Sequence, residues 1–182
     1  MHPKITFKQL WENHATIDGT DAPCTTNGKK NFPDQCAIRV GYALAKCGVD
    51  TSKIPGAVHC WHHEKSAGHI IRAEELAVGL NKYPILGIGK KIEVSPKEFS
   101  QKLDGKTGII FFKDYWQRTF NGKKEKFRNR SGDHIDLWNE NRLTDTFSWA
   151  RINLRIGDFG LHSLGLYSDL EDSKSIWFWN VL

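Results

Sequence analysis

The chain has 182 residues, a net charge of +5, seven Trp and ten Phe. That length supports one core over 1–182 without disulfides, the aromatic content argues against disorder, and so small a charge favours anionic surfaces without choosing among nucleic acid, lipid and cell wall. No stretch reaches membrane-span length, and Met1 to Glu12 lacks the basic patch and apolar run of a signal peptide, so neither membrane insertion nor ordinary export is expected.

Phe7, Leu10 and Trp11 sit at weakly helical spacing, and Asp18 to Asn31, rich in Gly, Thr, Asn and Lys, reads as a surface loop. From Pro33 to Gly48 the pattern is a helix with punctuation at both ends, Asp34 as N-cap and Gly48 as stop. Cys36, Val40, Leu44 and Cys47 share one face of it, which puts Cys36 in the first turn. The cluster His59-Cys60-Trp61-His62-His63 follows in an irregular stretch, and a second helix is expected over Arg72 to Asn81. Ser95-Pro96-Lys97-Glu98 has the form of a capping box, with Phe99 and Leu103 at helical spacing after it.

Beyond Gly105 the character changes. Thr107 to Phe112 is an apolar run suited to a central strand, His134 to Trp138 alternates as a half-buried strand does, and Ile176 to Trp179 makes a closing strand. Helices first and strands last is the α+β arrangement.

A thiol in the first turn of a helix meets unpaired N–H groups and partial positive charge, which favour the reactive thiolate and can hold an oxyanion. Cys36 is so placed. Among eight histidines, His134 opens an alternating strand just after a polar, glycine-containing loop, where a base can face a cleft. If that strand turns back through Asn139-Glu140 in a two-residue hairpin, His134 faces Asp145, the first choice for the carboxylate that orients the imidazole. Asp136, two residues along the same face, is its competitor.

The segments Cys36-Ala37-Ile38-Arg39-Val40-Gly41-Tyr42-Ala43-Leu44 and Gly132-Asp133-His134-Ile135-Asp136-Leu137-Trp138-Asn139 resemble the type VI secretion amidase effector family four. The resemblance implies a papain-like peptidoglycan amidase fold, with N-terminal helices packed on a small antiparallel sheet. It implies Cys36 as nucleophile, His134 as general base and Asp145 as orienting acid. It further implies hydrolysis of the D-glutamyl–meso-diaminopimelate bond of murein stem peptides, delivery by the type VI apparatus to the periplasm of a target bacterium, and a cognate immunity protein. Glu140 stands where members often carry the turn glycine.

Other readings compete with these. A cell-wall or polyanion binding module would keep Cys36 as a structural thiol. The His59 to His63 cluster has soft ligands enough for zinc but no second pair at fixed spacing, so no metal and no cofactor are expected and a loop or core role is the default. Cys24 could bridge Cys47 or Cys60. Lys123, Lys124, Lys126, Arg128 and Arg130 read as a solvated loop rather than a nucleic-acid track. Trp177 and Trp179 read as strand core facing one way.

Overall fold

The structure, a computed structural model, describes residues 4–129, 131–145 and 170–182. Helix α1 (Phe7–Glu12) starts at Thr6, whose hydroxyl accepts the Gln9 N–H while the Gln9 side chain accepts the Thr6 N–H, a reciprocal cap that holds a helix of less than two turns. The loop after it carries a two-residue hairpin, β1 (Thr25–Thr26) and β2 (Lys29–Lys30), turned by Asn27 and Gly28, both at positive φ.

Helix α2 (Cys36–Lys46) buries Ala37, Val40, Ala43 and Leu44 and ends before Gly48, which takes the left-handed conformation expected of a stop. Its N-terminus differs from the sequence expectation. The N-cap is Gln35, and Asp34 instead accepts the Cys36 N–H at 3.2 Å. Helix α3 (Ala73–Lys82) buries Leu76, Ala77 and Leu80. Strand β3 (Ile88–Val94) precedes the one-turn α4 (Phe99–Lys102). The capping box at Ser95 does not form. Glu98 donates its N–H to the Ser95 carbonyl in a turn, and the helix begins after it, still burying Phe99 and Leu103.

Strand β4 (Lys106–Trp116) leads into a second small hairpin, β5 (Thr119–Phe120) and β6 (Lys123–Lys124), so the exposed basic segment is partly strand. Arg130 lies outside the described residues. Strands β7 (Gly132–Glu140) and β8 (Ser175–Val181) complete a four-stranded antiparallel sheet in the order β3-β8-β4-β7.

Alternation along the sheet makes two cores. Ile109, Phe111, Ile135, Leu137, Trp179 and Val181 meet the three larger helices, while Ile110, Phe112, Trp138, Ile176 and Phe178 meet α4 and Leu170. Trp177 and Trp179 do face the same side, with their rings 6.3 Å apart, but only Trp179 is fully buried. α2 also packs along β7, the outer strand, so the start of the helix and the start of that strand come together.

Candidate active site

Cys36 opens α2 on its half-buried side. The residue before it, Gln35, is buried and turned away from the helix. It accepts the Cys24 N–H at 3.0 Å and donates to the Cys24 carbonyl at 3.0 Å, which ties the preceding loop to the helix end. The N–H groups of Ala37 and Ile38, in the first turn, have no partner inside the helix.

His134 lies on β7 opposite Phe112, with the two rings stacked at a 6.3 Å centroid distance and Tyr115 at 6.2 Å. The imidazole has Nε2 3.8 Å from Asp136 Oδ2, an ion-pair distance, and lies close enough to Cys36 for the two to share a proton. Burial opposes the charged ring, but Asp136 and then Cys36 outweigh it and hold His134 well above its ordinary range. Cys36 and His134, singled out separately in the sequence, therefore meet.

The hairpin that would set His134 opposite Asp145 is not formed. β7 runs through Glu140, the chain turns at Asn141, and the Asn139–Arg142 bridge fixes a different register. Asp145 is half-buried and follows Thr144, which binds the rival carboxylate. Asp136 is 5% exposed and accepts the Thr144 hydroxyl at 2.8 and 3.0 Å, the Thr144 N–H at 3.3 Å and the Leu137 N–H at 2.8 Å. Burial raises its carboxyl, but His134 and then His14 outweigh that and hold Asp136 below the usual range.

His14, just beyond α1, was not singled out in the sequence. It is 1% exposed, and its Nε2 stands 3.5 Å from Asp136 Oδ1. Burial lowers its affinity for a proton more than Asp136 raises it, so the ring is neutral near pH 7. No local pattern marks a lone histidine after a short helix. Only long-range packing brings it to the carboxylate on β7.

A cleft of about 480 Å³ opens over Cys36, between the end of Pro33–Asp34, the start of α3 and the far part of β4. Its wall is made by a bulge, where Lys113, Asp114 and Tyr115 oppose Asp133 alone; Asp114 has φ 50° and donates its N–H to Asp133 Oδ1 at 2.9 Å. Past the bulge Trp116 lies across Gly132, where a Cβ would fall 2.4 Å from the ring. Asp34, Glu74, Asp114 and Asp133 line the cleft together with Arg72 and Arg118, so it offers both charge signs.

All four cysteines are free thiols. Among the described residues one group could hold a metal ion, Cys24, Cys60, His63 and His69, and Cys24 is bonded to Gln35.

Two comparisons bear on the chain. The family model for type VI secretion system amidase effector protein 4 matches residues 32–179, which span Cys36, His134 and Asp136. Among solved structures, the crystal structure of the type VI effector Tae4 from Enterobacter cloacae resembles this one with a TM-score of 0.54 at 18% identity, over 100% of this chain and 98% of that one. At that identity the likeness speaks for the fold, the α+β arrangement of helices on an antiparallel sheet. No curated protein sequence gives a significant match.

Proposed function

The chain belongs to the type VI secretion system amidase effector protein 4 family, and from that premise we propose that it is a cysteine hydrolase, one domain over 1–182, that cuts the D-glutamyl–meso-diaminopimelate bond of murein stem peptides. The observation that carries this reading is that Cys36 lines the cleft while His134, 3.8 Å from Asp136, lies close enough to act on its thiol.

His134 takes the Cys36 proton, and the thiolate attacks the amide carbonyl. With Nε2 turned to Asp136, Nδ1 is the nitrogen left to work on the thiol. The tetrahedral oxyanion faces the first-turn N–H groups of α2, which stabilise charge that the ground-state carbonyl does not carry. The imidazolium then gives its proton to the departing amine. A thioester of the D-glutamyl carboxyl remains, and water activated by His134 releases the acid and restores the thiol. Asp136 keeps the ring oriented and stabilises its positive charge, the role first given to Asp145.

Diaminopimelate carries an amine and a carboxylate beyond the bond to be cut. The cleft's mixed lining, acidic at Glu74 and Asp133 and basic at Arg72 and Arg118, suits such a zwitterion better than a polyanion. As a family member the chain is an amidase effector that acts on peptidoglycan after secretion. Delivery to the periplasm of a target cell and neutralisation by a cognate immunity protein seated over the cleft belong to the proposal.

The test is incubation of the protein and of Cys36→Ala with defined stem peptides, followed by mass analysis. Wild type should split D-glutamate from diaminopimelate, and the variant should leave the peptide whole. If neither cuts and both still bind cell wall, the thiol is structural and the chain is a binding module.

A further inference from the structure

Four side chains with no part in the amidase chemistry converge on one point. Cys24, Cys60 and His69 are buried and His63 is half-buried, and their ligand atoms all lie within 4.8 Å of one another. His63 Nδ1 is 3.6 Å from Cys24 Sγ and 3.3 Å from Cys60 Sγ, and Cys60 Sγ is 3.8 Å from His69 Nδ1. A tetrahedral zinc ion, with bonds of about 2.3 Å to sulfur and about 2.0 Å to nitrogen, requires S···N edges of about 3.5 Å. The three measured edges scatter around that value. Two thiols and two imidazoles form a donor set that selects zinc over harder cations, and four protein ligands leave no open position. We propose that Cys24, Cys60, His63 and His69 bind a structural zinc ion.

The surroundings are built for it. Three of the ligands come from one loop closed on itself, since Cys60 donates its N–H to the His69 carbonyl at 2.8 Å beside the His59–Ile70 bridge. Cys60 and His63 have the spacing of paired zinc ligands. The fourth, Cys24, comes from the loop before α2, and its sulfur accepts the Asn31 amide at 3.6 Å, the kind of outer contact that orients a thiolate on a metal. Zinc enters as two thiolates and two neutral imidazoles replace two thiols, and two protons leave. The loaded site carries no net charge, which suits its depth.

The ion joins the loop of residues 60–69 to the loop that Gln35 ties to the start of α2. It therefore fastens the platform under Cys36 without touching the thiol. A zinc site also accounts for the His59 to His63 cluster, whose second pair was invisible in the sequence because Cys24 lies 36 residues before Cys60 and His69 six after His63.

The experiment is metal analysis of the full chain purified in a phosphine reductant, with zinc titration of the stripped protein against a chromophoric chelator and cobalt substitution read by visible absorption. One zinc per chain, tetrahedral cobalt bands with thiolate charge transfer, and a melting temperature lowered by chelator are expected. Cys24→Ser and His63→Ala should weaken zinc by about 100-fold or more and remove the chelator effect. Cys36→Ala should keep one ion per chain, so the result is independent of the proposed activity. A reduced chain that takes up no zinc, a Cys24–Cys60 disulfide in the isolated protein that excludes metal, uptake undiminished in both ligand variants, or uptake lost with Cys36 would overturn the proposal.

Discussion

Asp136 carries the densest set of interactions of any carboxylate in the site, with Thr144 and Leu137 donating to it and His134 and His14 on either side. Asp136→Asn should lower kcat on stem peptides by about 100-fold to 10,000-fold while substrate binding persists, as expected when the imidazole loses the partner that fixes its tautomer. Asp145→Asn is the paired control. If it matches Asp136→Asn, or exceeds it, the assignment reverts to the sequence expectation. The same pair sets a pH dependence of stability. His134 has a raised folded value, so its contribution is full below about 6.5 and lost as pH rises through that value; Asp136 has a lowered one, so its contribution is present above about 4 and lost as pH falls through it. Urea midpoints should therefore decline on the alkaline side of neutrality, and Asp136→Asn should flatten that decline. Cys36 and His134 could be picked out as candidates because helix start and strand alternation are local patterns. The choice between Asp136 and Asp145 could not be made there, because it hung on a turn whose geometry one residue alters.

That residue is Glu140, which ends β7 at φ 60°, a left-handed conformation costly for a side chain with a Cβ. Glu140→Gly should stabilise the protein by about 1 kcal/mol, raising the melting temperature by about 2–4 °C, with no change in stem-peptide cleavage. A fall in melting temperature would mean that the Glu140 side chain contributes more than its backbone costs. Elements elsewhere sort by the same logic of local against distant cause. The central strands were read from their apolar runs, since burial on both faces leaves that signature. Both small hairpins were missed although Asn27-Gly28 and Asn121-Gly122 are strong turn signals, because they sit in polar stretches with no hydrophobic alternation beside them. β3 was missed for another reason. A register shift between Ile88 and Lys91 breaks its period, and four of its seven residues are exposed.

Across the molecule, α2 is held to the loop of residues 60–69 by a contact of bare backbones. A Cβ on Gly41 would stand 2.1 Å from the Gly68 carbonyl, and one on Gly68 would stand 2.2 Å from that of Gly41. Neither clash can be relieved by a side-chain rotation. Gly41→Ala should cost about 1–3 kcal/mol in equilibrium unfolding by urea, by forcing the loop off the helix; an unchanged midpoint would show that the loop rides free of α2. Such long-range approaches are invisible in a sequence, where Gly41 reads only as a weak helix residue. The sheet has a long-range order of its own. β8, the last described strand along the chain, is hydrogen-bonded on one side to β3 and on the other to β4. On a ribosome, β4 and β7 can pair as they emerge, yet β3 has nothing to join and the inner edge of β4 stays open until Ser175–Val181 leave the exit tunnel. A nascent chain therefore has no closed sheet behind its histidine until β8 has been made, and cleavage activity should appear only after that strand has joined.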